Sequence, residues 1–274
     1  MSRVAMPLLA ALAALLVCAC TGTTTLRNGV ETANRQQPTA AAQEAAKRAE
    51  VHERAMAHVA LAAAYYDRTL YAIVLEEINE ALQVEPGNVP AWSLRGLTYM
   101  ALREDRDAED SFRQGLRLAP NDPEIGNNYA YFLCDRGRPE EGLSRLGPVL
   151  QDPLYRTPEK ALYNAAQCAR RRNDMPAALA YLRRAVKLAP TDGPSATALA
   201  ELLEQDKHPG EAREVLRPLL RALPPPKATL ETMIRLDQAL ADPVQAAEHR
   251  AMLQKFHTEQ KDGTVPPADP KSHE

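Results

Sequence analysis

One interval dominates this sequence. Trp92, Gly96, Tyr99, Ala108, Phe112, Gly115 and Pro120 alternate large and small side chains, and the alternation recurs 34 residues to either side. Upstream it reads His58, Ala62, Tyr65, Val74, Ile78, Ala81 and Pro86; downstream it reads Gly126, Ala130, Leu133, Gly142, Leu146 and Val149. The downstream copy lacks its closing proline. Asp152-Pro153-Leu154-Tyr155 stands there instead, and two extra residues follow. A fourth copy reads Leu162, Ala166, Ala169, Ala178, Leu182, Ala185 and Pro190, and a fifth Ala196, Ala200, Leu203, Ala212, Leu216, Leu219 and Pro224. A degenerate sixth passes through Leu230, Ile234, Ala246 and Leu253. A period of this length marks supersecondary units stacked in series, none of which buries its apolar face alone.

The unit is helical. Alanine and leucine dominate, aromatic residues are only 5% of the chain, and the β-branched runs that build sheets are missing. Small residues at the eighth and twentieth positions let two helices approach, and large ones fill the space between neighbours. Glu85-Pro86-Gly87-Asn88, Ala119-Pro120-Asn121-Asp122 and Ala189-Pro190-Thr191-Asp192 each combine a helix stop with a polar residue suited to cap the next helix. This spacing resembles the tetratricopeptide repeat (TPR), with one departure at Arg95, where leucine is usual. The resemblance implies an all-α, right-handed superhelix of about six helix-turn-helix repeats with a concave groove. The array is expected over residues 39–256, with repeats near 55–88, 89–122, 123–158, 159–192, 193–226 and 227–256. The sixth serves as an end cap. Residues 257–274, rich in Pro and Asp towards the end, are expected to be a disordered tail.

Residues 1–19 read as a signal peptide. Arg3 starts it, and the apolar run 4–17 is too short to span a bilayer comfortably. Val17-Cys18-Ala19-Cys20 resembles a bacterial lipobox, which makes Cys20 the expected lipidation site, since small Ala19 precedes it and bulky Val17 precedes Cys18. The alternative is an ordinary signal peptide that releases a soluble periplasmic protein. Thr21 stands where bacterial lipoproteins retained in the inner membrane tend to carry Asp, so the resemblance implies the outer membrane. Residues 20–38 then read as a flexible tether, reaching roughly 23 Å. The folded part is therefore expected to face the periplasm, lipid-anchored and close to the membrane.

Little points to catalysis. The net charge of −3 offers no field for nucleic acid. His52 and His58 do not share a helix face, and the remaining histidines are scattered. Neither zinc-ligand spacing, nor a serine elbow, nor a phosphate-binding glycine loop occurs. No enzyme activity, metal, cofactor or small-molecule substrate is expected.

In TPR arrays the first helix of each pair lines the groove. Carried over repeat by repeat, those positions give an apolar wall in the first two repeats, including Val59, Ala63, Tyr66, Leu94 and Leu97. The next two repeats give a wall rich in amides and tyrosines: Asn127, Asn128, Tyr131, Tyr163, Asn164, Gln167 and Arg170. Exposed apolar grooves mark partner sites, and adjacent amides suit the backbone of an extended peptide. Alternatively, a helix beginning near Thr39 covers part of the apolar wall as an N-terminal cap. Arg170-Arg171-Arg172 read as cations suited to a helix C-terminus.

Beyond the generic repeat, Asn127-Asn128-Tyr129-Ala130-Tyr131-Phe132-Leu133-Cys134, Asp152-Pro153-Leu154-Tyr155 and the stretch 161–168 closely resemble the PilF/PilW family, TPR lipoproteins of the outer membrane that act in type IV pilus biogenesis. The resemblance covers about residues 15–256. It implies a non-catalytic pilotin or assembly factor whose groove binds the secretin subunit, or another pilus assembly protein, and supports secretin localisation and multimerisation and pilus stability. The competing class is a general envelope scaffold for peptidoglycan enzymes or outer-membrane protein assembly.

Of four cysteines, Cys134 and Cys168 remain in the mature fold. They lie 34 residues apart on the first helices of adjacent repeats, so a disulfide tying repeats three and four is predicted. Two buried thiols acting as small apolar residues are the alternative.

Overall fold

The computed structural model describes residues 39–222 and 225–261. The signal, tether and Cys20, the closing Pro224 and residues 262–274 lie outside them. By packing, the chain divides into units 1–43 and 44–274, and the second holds the repeats.

Helices α1 (Ala40–Tyr66) and α2 (Tyr71–Val84) form the first hairpin, α3 (Val89–Ala101) and α4 (Asp105–Leu118) the second, and α5 (Pro123–Asp135) and α6 (Pro139–Gln151) the third. Then follow α7 (Pro158–Arg171) with α8 (Met175–Leu188), α9 (Gly193–Gln205) with α10 (Pro209–Leu216), and α11 (Lys227–Ala239) with α12 (Pro243–Lys261). No strand occurs among the described residues. First helices pack on first helices, α3 on α5, α5 on α7 and α7 on α9. Each core therefore crosses a repeat boundary: Phe112 of α4 is fully buried against Met100, Ile125, Tyr129 and Phe132.

Helix starts follow the expected chemistry. Asn88, Asp122 and Asp192 accept a hydrogen bond from the backbone N–H three residues on, at 2.9, 3.0 and 3.0 Å, and Asp174 does the same for α8 at 3.1 Å. Proline occupies the first turn of α3 and of α5 to α10, where its missing N–H has no helical partner to lose. Small residues sit where helices close up: a Cβ on Gly96 would stand 2.6 Å from the Phe112 ring.

The turn inside each hairpin repeats in atomic detail. Thr69, Arg103, Gly137, Asn173, Lys207 and Ala241 all have positive φ, at intervals of 34, 34, 36, 34 and 34 residues. The next residue in each case donates its N–H to the carbonyl five positions back: Leu70 to Tyr65, Glu104 to Tyr99, Arg138 to Leu133, Asp174 to Ala169, His208 to Leu203 and Asp242 to Asp237, at 2.8–3.1 Å. This is the Schellman closure of a helix. The longer interval is the insertion seen in the sequence, and the sixth turn shows the degenerate repeat in register.

Three features differ from expectation. The helix near Thr39 is no separate cap, because α1 runs unbroken through the first helix of repeat one and its residues 44–50 are exposed throughout. The second helix of repeat five stops at Leu216 and continues as a 3-10 turn over Arg217–Arg221, since Pro218 supplies no amide to the α-ladder. At the far end α12 continues to Lys261, past the boundary at 256.

Candidate functional site

The first helices α3, α5, α7 and α9 pack side by side in series. The apolar part of their exposed face is narrower than expected. Val59 is only 8% exposed, packed with Ala62, Val74 and Ile78, so it belongs to the core rather than to a surface. Ala63 is exposed. Leu94 and Leu97 are half-buried, one against the cluster of repeat one and the other against that of repeat two.

Tyr131 lies within electrostatic reach of both Tyr66 and Tyr163. Tyr66 sits at the end of α1, its ring 5.6 Å from that of Tyr71. Burial pushes its hydroxyl up to about 12, and Tyr71 and Tyr131 add to the rise. Burial also raises Tyr131, with Asp135 and Tyr163 adding to it. Tyr131 remains 40% exposed. The sequence positions named all three separately. That reach across repeats one, three and four needed the stacking.

The amides are largely occupied. Asn164 donates to Asn127 Oδ1 at 2.9 Å, and Asn128 donates to Ser93 Oγ at 3.0 Å. Asn127 is 3% exposed and so cannot meet a partner's backbone, a correction to the expectation that it faces the groove. It is a strut between α5 and α7. Burying an amide requires such a bond. Asn128 and Asn164, both half-buried, keep an amide oxygen that is not used in this ladder. Arg170 donates to Gln167 Oε1 at 3.4 Å, so these two form a local pair at the end of α7. The two arginines that follow tie repeat four back to repeat three: Arg171 reaches Asp135 at 2.7 Å and Arg172 reaches Glu140 at 3.3 Å. Helix-terminus placement alone understates them.

Beneath this face, Cys134 of α5 and Cys168 of α7 are 2% and 0% exposed, with Cα atoms 5.2 Å apart and their sulfurs directed at each other. That separation lies inside the range a disulfide spans. Gly142 of α6 closes over the pair: a Cβ there would lie 3.3 Å from Cys168 Sγ and 3.0 Å from the Ala130 carbonyl oxygen.

Comparison with known proteins agrees with this architecture. A tetratricopeptide repeat family model matches residues 30–224. The type IV pilus assembly protein PilF of Pseudomonas aeruginosa is 23% identical over 201 residues, which cover 73% of this chain and 80% of that protein. The crystal structure of PilW, described as a widely conserved type IV pilus biogenesis factor, superposes with a TM-score of 0.61 at 29% identity, covering 77% of this chain and 98% of the other. A structure of Pseudomonas aeruginosa PilF gives a TM-score of 0.62 at 22% identity, over 77% and 99% of the two chains.

Proposed function

Because the chain belongs to the tetratricopeptide repeat family and is homologous to PilF, we propose that it is a non-catalytic type IV pilus assembly factor that binds a segment of the secretin subunit along its first-helix face. The observation that carries this reading is Tyr131. It is a large aromatic side chain on α5, 40% exposed and within electrostatic reach of Tyr66 and Tyr163. Leu94 and Leu97 add apolar area, and the free oxygens of Asn128 and Asn164 accept from a peptide backbone. Aromatic anchors flanked by polar groups are where binding energy concentrates in protein interfaces.

In this reading the partner is the secretin subunit or another pilus assembly protein, and binding promotes secretin localisation and multimerisation and so pilus stability. A lipid on Cys20 anchors the chain in the outer membrane, facing the periplasm. Incorporation of labelled fatty acid, lost in Cys20→Ala, tests the anchor. Cys134 and Cys168 are oxidised to a disulfide in the exported protein; thiol counting on denatured, unreduced protein tests that, and two free thiols would refute it.

The central experiment is co-purification with the secretin, wild type against Tyr131→Ala and Asn164→Ala. Both variants are expected to lose the secretin while keeping their fold. Cells lacking the protein are expected to hold monomeric or mislocalised secretin. Normal secretin multimers in such cells would end this reading and favour a general envelope scaffold.

A further inference from the structure

A second concavity lies on the other helices. Between α4 and α6, floored by Tyr129 and Leu133 of α5, is a cleft of about 870 Å³. Every acidic group beside it is already engaged. Glu109 accepts from Tyr129 at 2.8 Å and pairs with Arg113 at 2.7 Å and Arg138 at 2.9 Å. Glu141 pairs with Arg138 at 2.7 Å, and Glu140 with Arg172 at 3.3 Å. Two cations are left over. Arg117 on the α4 wall contacts only the neutral Gln114, and Arg145 on the α6 wall lies over the Tyr129 ring, 5.8 Å from its centre. Among the described residues neither is paired with a carboxylate.

The backbone of α6 is unusual at the same place. Pro148, inside the helix and lining the cleft, has no N–H for the carbonyl of Ser144, another lining residue. Gly147 beside it has open space where a side chain would stand. The wall thus carries two guanidinium groups that no carboxylate pairs with among the described residues, and apolar surface from Leu116, Pro120 and Pro148. Beyond Arg117 a smaller cleft of about 450 Å³ continues along α3 and α4. There Arg95 lies between the rings of Trp92 and Tyr99, at 5.3 and 5.4 Å, and its Nε is buried without a partner. Asp107 and Asp110 rim this part, so a run of carboxylates fits only the larger cleft.

We propose that this cleft docks an extended acidic segment of a protein partner, its carboxylates on Arg117 and Arg145 and an apolar side chain on Leu116 and Pro148. Charge complementarity sets the sign of the partner. The apolar surface of Leu116 and Pro148 beside the cations sets its class: it suits a peptide that carries apolar side chains among its carboxylates. This site is separate from the first-helix face and does not depend on what binds there.

Fluorescence anisotropy with a labelled short peptide of alternating glutamate and leucine tests it, using the mature full-length chain. Saturable binding is expected, weakened by salt, and reduced by about tenfold when both exposed arginines are reversed in Arg117→Glu/Arg145→Glu, the loss expected for two ion pairs turned repulsive. The same peptide with glutamine for glutamate is expected to bind as weakly. Tyr131→Ala is expected to bind the peptide like wild type. No saturable binding, equal binding by the reversed variant, or a loss confined to Tyr131→Ala would each overturn the proposal. So would binding to phosphatidylglycerol vesicles without binding to the peptide, which would identify a membrane contact instead.

Discussion

Gly142 lies directly against Cys134. A methyl group at this position would collide with the Cys134 sulfur and stand 3.0 Å from the Ala130 carbonyl. The sulfur, the glycine and the facing Cys168 share one fully enclosed space between α5, α6 and α7.

Gly142→Ala is therefore expected to force the cysteine side chains out of register. Overpacking of this kind costs about 1–3 kcal/mol. Thermal unfolding is expected to show a lower midpoint, and thiol counting a rise in free cysteine. Cys134→Ala/Cys168→Ala removes the proposed cross-link instead and is expected to cost roughly 3–4 kcal/mol in the chain-entropy account, measured by urea unfolding. An unchanged midpoint in both variants would mean the sulfurs are not bonded.

The hairpin turns allow a test with opposite signs. Gly137 has φ of 76°, where a side chain costs about 1–2 kcal/mol. Gly137→Ala is expected to destabilise by about 1 kcal/mol, because reduced freedom of the unfolded chain offsets part of that cost. Ala241, at φ of 54° in the equivalent turn, is expected to respond the other way. Ala241→Gly stabilises by a few tenths to about 1 kcal/mol on the same accounting, read from urea midpoints.

The sixth repeat is held by charge where its neighbours use bulk. Asp237 stands at the position of Tyr65, Tyr99 and Leu133 in earlier repeats, fully buried, 2.7 Å from His249 and 3.4 Å from Arg213. Removing Asp237 strands the buried His249, while Arg213 keeps its pair with Asp242 at 2.9 Å. Asp237→Ala is expected to cost about 3 kcal/mol and to release α11 and α12 first, seen as faster hydrogen exchange there than in α5.

Acid sensitivity centres on Glu109. Burial alone would raise its carboxyl, but hydrogen bonds from Arg138 and Tyr129 and the charges of Arg138 and Arg113 hold it below the usual carboxylate range. A carboxyl depressed in the folded state contributes stability that is present above its unfolded value and lost as pH falls through the folded one. Thermal midpoints of wild type are expected to fall more steeply than those of Glu109→Gln as pH drops below about 4.3, and the two curves to run parallel near neutrality.

Asn127 separates a strut from a contact. Asn127→Leu strands the Asn164 amide and is expected to cost about 1 kcal/mol of stability. Tyr131→Ala, at a site 40% exposed, is expected to change stability little and partner binding strongly. Comparing melts with secretin co-purification for the two variants checks this division.

The sequence alone determined the repeat. Its period, its proline stops and its alternation of large and small residues are local rules, and they located six hairpins, the longer third interval and the Cys134 and Cys168 positions. What it could not settle was which side chains on the first helices stay free. That depends on distances between residues some 34–37 positions apart, as between Asn127 and Asn164 or Ser93 and Asn128. Only stacking turned Asn127 inward, brought Tyr131 within electrostatic reach of Tyr66 and Tyr163, and left Arg117 and Arg145 without carboxylates among the described residues. A repeating pattern of large and small residues records which face of a helix is packed; it holds no record of which polar groups on the other faces find one another once the helices pack.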